Sequence, residues 1–114
     1  MDTPLRIKVY QLENGQKPYD KWFASLKDQK TAAKIDSRLQ RVVSGNLGDH
    51  RYVGEGVAEL KLDIGPGYRI YFGQHNDSII VLLLGGNKGT QNDDITRAKT
   101  YWKDYKSRFV STRS

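Results

Sequence analysis

The sequence contains no cysteine. That excludes a disulfide scaffold, a thiol nucleophile and any zinc site with cysteine ligands. Histidine is almost as scarce: His50 and His75 are the only two, too few for a multi-histidine metal centre. Long apolar runs are missing as well. The longest, Ile79 to Leu84, has six residues, against the roughly 20 that span a bilayer. The opening stretch MDTPLRIKVYQLENG carries no basic-then-apolar leader pattern, so the expectation is a soluble, cytoplasmic protein with no membrane partner. No P-loop, dinucleotide fingerprint, metal motif or serine-centred elbow occurs. The run Gly85-Gly86-Asn87-Lys88-Gly89-Thr90 resembles a phosphate loop only loosely and lacks its spacing. Repeats, linkers and low-complexity tracts are also absent, and 114 residues match a single domain over 1–114.

What the chain does have is positive charge. Nineteen Lys and Arg against 13 Asp and Glu leave a net charge of +6. Such an excess attracts phosphate-bearing partners such as nucleic acid at long range, although it also serves plain solubility. The decisive question is where the cations converge.

The patterning predicts an α+β fold in the order β-α-α-β-β-β-α, a small antiparallel-rich sheet packed against helices. Leu5 to Leu12 reads as a strand, since Leu5, Ile7 and Val9 alternate with Arg6 and Lys8. Pro18 suits a first helical turn, and Tyr19, Trp22, Phe23 and Leu26 form one apolar stripe after it. Asp28 caps a second helix with Ala32, Ile35, Leu39, Val42 and Val43 inward and Lys34, Arg38 and Arg41 mostly outward. Asn46 to Gly56 is polar and glycine-rich and reads as a surface loop.

From Val57 the period becomes two, with Ala58, Leu60, Leu62 and Ile64 on one face and Glu59, Lys61 and Asp63 on the other. Gly65-Pro66-Gly67 makes a tight turn, and Tyr68, Ile70 and Phe72 alternate with Arg69, Tyr71 and Gly73 on the way back. Ile79 to Leu84 is apolar throughout, as expected of a central strand covered on both sides, and Gly85 to Gly89 breaks it. A last helix starts near Asn92 as its cap, and Ile95, Ala98, Trp102, Tyr105 and Phe109 form its buried stripe. The tail to Ser114 is expected to fray.

A three-residue turn pairs Ile64 with Tyr68, Asp63 with Arg69 and Lys61 with Tyr71. Glu59, Lys61, Asp63, Arg69 and Tyr71 then share the outward face, with Lys88 leaving the central strand nearby. These residues read equally as a phosphate-directed cluster or as an ordinary cross-strand ion pair worth about 0.2–1 kcal/mol.

The stretch GVAELKLDIGPGYRIYFG, followed by VLLLGGNKGTQNDDITRAK, resembles the HigB-type addiction module killer proteins of the RelE/ParE superfamily of type II toxins. The likeness runs upstream through the Trp22-Phe23 helix and Ser44-Gly45-Asn46-Leu47-Gly48-Asp49. It implies a toxin neutralised by a cognate helix-turn-helix antitoxin, with DNA association through the antitoxin complex. It further implies a metal-independent, ribosome-dependent mRNA endoribonuclease that needs no cofactor and arrests growth by blocking translation. The superfamily also holds ParE-like gyrase poisons that cleave nothing, and a plain nucleic-acid or protein-binding module is the bland alternative. Carried over by position, Lys61 and Arg69 match the family's basic pair and Lys88 its later basic position. Arg69 would stabilise transition-state charge, and Lys61 would move a proton or contact phosphate. Relatives place a Tyr or His late in the chain as acid or base. Here Gly89, Thr90, Gln91 and Asn92 stand after Lys88, which leaves Tyr71 as the substitute.

Overall fold

A computed structural model describes residues 5–110. In chain order these form β1 (Arg6–Val9), α1 (Pro18–Ala24), α2 (Gln29–Val43), β2 (His50–Gly54), β3 (Val57–Lys61), β4 (Arg69–His75), β5 (Ile79–Gly86) and α3 (Gln91–Phe109), with a 3-10 turn at Lys88–Thr90. The strands make one sheet in the order β1-β5-β4-β3-β2. β1 runs parallel to β5, and every other neighbouring pair is antiparallel. The fold is therefore α+β, with a mostly antiparallel sheet.

Helices cover both faces of that sheet. On one side Tyr19 of α1 and Ile35, Leu39 and Val42 of α2 pack on Leu60, Ile70, Phe72, Ile80 and Leu82. On the other, Ala98, Trp102 and Tyr105 of α3 pack on Val57, Tyr71, Val81 and Leu83. Trp102 lies so close to β4 that a Cβ on Gly73 would sit 2.5 Å from its ring. Sheet and helix meet there because Gly73 has no side chain.

Several expectations change. The Asn46–Gly56 segment is not all loop: it holds β2, an edge strand whose residues are largely exposed, so no apolar alternation announces it. Counting it, the described elements run β-α-α-β-β-β-β-α. β3 and β4 pair Lys61 with Arg69, Leu60 with Ile70 and Glu59 with Tyr71, two residues away from the tight-turn register. A shift of two preserves which face each side chain occupies, and residues 62–68 form a wider connection. Gly85 and Gly86 do not break β5 but extend it. Asn92 lies inside α3, whose N-cap position is Thr90; the capping side chain is that of Asn87, which accepts from the Gly89 and Thr90 N–H groups and starts the 3-10 turn that leads into α3. β1 ends at Val9, although the Tyr10 N–H still donates to Leu82 O. Phe109 leaves the buried stripe and is 48% exposed. The tail expected to fray, residues 111–114, lies outside the described residues.

Arg38 is the largest departure. Expected on a wet helix face, it is buried, and its guanidinium donates to three carbonyls: Leu47 and Asp49 at 2.8 Å and Lys61 at 3.1 Å. One side chain thus pins α2 to the 47–49 segment and to the end of β3. Gly48, at φ +64°, has a conformation that favours glycine, and a Cβ there would press on this guanidinium.

Adding one methyl at the closest approach of sheet and helix tests this packing. Gly73→Ala should push Trp102 off β4 and lower stability by about 1–3 kcal/mol, measured by chemical denaturation.

Candidate functional site

The end of the β3–β4 hairpin collects charge on the face covered by α3. Lys61 and Arg69 are cross-strand partners, and Glu59 and Tyr71 are the next pair on that face. Because α3 shields it, the face is not the solvated surface that alternation suggests. Glu59 is 3% exposed, Arg69 7% and Tyr71 0%. Lys61, beyond the helix, is exposed.

Glu59 organises the cluster. Its Oε1 accepts from Arg51 Nε at 3.0 Å, and its Oε2 accepts from Gln91 Nε2 at 2.8 Å and lies 3.8 Å from Arg69 Nε. Burial pushes the Glu59 carboxyl up, but the hydrogen bonds from Arg51 and Gln91 outweigh it and hold the group below its ordinary value. Arg69 is anchored a second time through Nη1, which donates to Gly67 O at 2.6 Å. Its Nε, too far from Glu59 for a hydrogen bond, has no partner among the described residues.

A cavity of about 380 Å³ opens over this cluster, lined by Arg51, Glu59, Lys61 and Arg69 together with Asp49, His50 and Gln91. Three fixed cations face two carboxylates there, so the lining is net positive. A larger groove of about 510 Å³ along α2 shares Asp49 and Lys61 with it and adds Lys34 and Arg41. Cations therefore continue away from the hairpin along one side of the molecule.

His50 has the geometry of a proton acceptor. Its Nδ1 lies 2.8 Å from Gly48 O. A carbonyl only accepts, so Nδ1 carries the proton, and Nε2 of the neutral ring is left with a lone pair.

The expected site residues are distributed unequally. Lys61 and Arg69 line one cavity. Tyr71 does not reach it: the hydroxyl is buried, close to Glu59 but outside hydrogen-bond geometry, with no partner among the described residues. Burial first, then the negative charges of Glu59 and Asp94, raises its ionisation far above the ordinary tyrosine range, so Tyr71 supports the floor of the site. Lys88 is exposed on the turn after β5, where its N–H meets Pro66 O at 3.4 Å. It abuts the loop that anchors Arg69 without lining the cavity. Arg51, Gln91 and His50 were not among the expected residues. Among the described residues, no group of three or more His, Asp or Glu is arranged to hold a metal ion, and no helix is long and apolar enough to cross a membrane.

A protein of Haemophilus influenzae, described only as an uncharacterized protein, is 43% identical over 81 residues, covering 71% of this chain and 82% of that one. The two proteins belong to one family. No family model matches the chain.

Within this family member, the buried carboxylate is the clearest stability determinant of the site. Glu59→Ala leaves Arg69 buried without its counter-charge and should cost about 3–5 kcal/mol. Because folding holds the carboxyl below its ordinary value of 4.5, the contribution is present above that pH and lost as pH falls through the lower folded value. Denaturation from about pH 3 to about pH 7 should show a flatter acid limb in Glu59→Gln than in the wild type.

Proposed function

We propose that this protein is the toxin of a type II toxin–antitoxin pair with a RelE/ParE-like fold, and that it cleaves mRNA on the ribosome. The observation that carries the reading is the Lys61–Arg69 pair, set side by side at the mouth of a positive cavity, with Arg69 anchored on the Gly67 carbonyl beside a buried carboxylate. The hairpin sequence that resembles HigB-type toxins supplies both residues. In this reading the 2′-hydroxyl attacks its own phosphorus, the bond to the 5′-oxygen breaks, and a cyclic phosphate and a 5′-hydroxyl result. His50 Nε2 takes the 2′-hydroxyl proton, Lys61 gives a proton to the departing oxygen, and Arg69 stabilises the charge that develops on phosphorus-bound oxygens. Lys88, on the loop side of Arg69, meets the flanking backbone. The groove holding Lys34 and Arg41 suits neighbouring phosphates or ribosomal RNA.

The antitoxin of this reading is a folded helix-turn-helix protein with an acidic segment. Of the cations on α2 and α3 that would meet it, Lys34, Arg41, Lys103 and Lys106 are exposed. Arg38 is committed to backbone carbonyls, and Lys99 lies 3.6 Å from Glu55.

Two measurements test these statements. Primer extension on translating ribosomes should show new mRNA ends with the wild type. Lys61→Ala and His50→Gln should each slow cleavage at least about 100-fold while leaving the melting curve in place. Stalled gyrase with translation intact would instead favour the ParE-like activity. Separately, the antitoxin on-rate should fall steeply between about 50 and 500 mM salt; a flat profile would remove electrostatic docking.

A further inference from the structure

β1 and β5 lie side by side and parallel, yet the chain leaves β1 for the helices of one face and β5 for α3 on the other. Where adjacent parallel strands send their connections to opposite faces, a crevice opens outside their carboxyl ends, and open sheets bind ligands there. Here that crevice has about 460 Å³, within the range of about 300–1,000 Å³ usual for small-molecule sites.

The two glycines that end β5 shape it. A Cβ on Gly85 would collide with Trp22 of α1, and one on Gly86 with Asp94 of α3. Two consecutive residues without side chains therefore let an indole from one layer and a carboxylate from the other converge on the strand end. Asp94 is 5% exposed, and its two oxygens are held differently. Oδ2 accepts from Thr90 Oγ1, whereas Oδ1 accepts no hydrogen bond among the described residues and lies 4.0 Å from Arg97 Nη1. Burial lifts the Asp94 carboxyl above its ordinary value, against the pull of the Thr90 hydrogen bond.

Around the carboxylate the lining divides by chemistry. Trp22 offers a flat apolar wall; Tyr101 is stacked on Tyr10 and carries the Arg97 guanidinium over its ring and on its hydroxyl. Lys17, Lys21 and Arg97 bring three positive charges against the one of Asp94. A ligand that fits needs a planar ring, hydrogen-bond donors on one edge and an anionic group. Among nucleobases, guanine presents two adjacent donors, N1–H and the 2-amino group, which a carboxylate accepts together. Adenine and cytosine set their amino group beside an acceptor, and uracil flanks its one N–H with carbonyls.

We infer that this crevice binds a guanosine nucleotide, with the base on Trp22, its donor edge on Asp94 and its phosphate on Lys17, Lys21 and Arg97. The inference stands apart from the cleavage reading, because none of these residues lines the cavity of Lys61 and Arg69. The nucleotide could be free or part of a strand, since Gly86 is the register partner of Arg69 and a bound strand could reach both.

Calorimetric titration of the full chain with GMP, AMP and inorganic phosphate tests it without any activity assay. GMP should bind saturably and at least about 10-fold tighter than AMP, and phosphate alone should not saturate. Asp94→Asn keeps an acceptor for Thr90, should fold at least as stably, and should erase the difference between GMP and AMP. The exposed pair Lys17→Glu/Lys21→Glu should weaken GMP at least about 10-fold while leaving guanosine unchanged. A short RNA with one guanosine that displaces GMP, and that Arg69→Lys weakens without touching GMP, assigns the crevice to a strand; RNA that fails to displace GMP assigns it to the free nucleotide. Equal binding of GMP and AMP by the wild type, binding unchanged in both variants, or no saturable binding up to about 5 mM would overturn the proposal. Each of those results leaves the cleavage reading where primer extension puts it.

Discussion

One buried negative charge sets the geometry around it. Glu59 sits on β3, yet its two oxygens gather Arg51 from the edge strand, Gln91 from the first turn of α3 and, at longer range, Arg69 from β4. Four elements are thereby fixed relative to one another at the point where the cavity opens. Burying that carboxylate is costly by itself, and it is tolerated because each oxygen finds a donor and a guanidinium lies beside it. The same arrangement orients Arg69, whose guanidinium would otherwise sweep over several rotamers. A clamped arginine loses less freedom when it meets an anion, which is how a positive surface becomes a site.

Arg38 performs a comparable service on the opposite face with no carboxylate involved. By satisfying three carbonyls it closes a glycine-containing bend without regular structure of its own. Asp49 and His50 then enter β2 from a fixed position, and the Lys61 N–H donates to Asp49 O at 3.0 Å. Site geometry thus rests on two buried charged residues, one on either side of the sheet.

Much of this was legible in the residues and some was not, for physical reasons. The hairpin faces were readable because a two-residue change of register leaves side-chain parity intact, so Lys61 and Arg69 were grouped correctly even with the wrong partners assigned. Burial on that face was not readable: Glu59, Arg69 and Tyr71 alternate like a wet face, and only the packing of α3 through Trp102 and Gly73 makes that face an interior. β2 escaped notice because an edge strand exposing most of its side chains lacks an apolar period, and His50, Arg51 and their roles went with it. Arg38 shows the same limit. A cation on a helix reads as outward until the carbonyls that need it are placed nearby.

The first turn of α3 stands between the two cavities. Gln91 reaches into one and Asp94, three residues on, into the other, while burial first, and then the charges of Glu59 and Asp94, push the ionisation of the Tyr71 hydroxyl up. Gln91 is hydrogen-bonded to Glu59 at 2.8 Å, and Asp94 packs against Gly86 at the end of β5. The helix is in this sense a shared wall, one turn of which gives a side chain to each chamber.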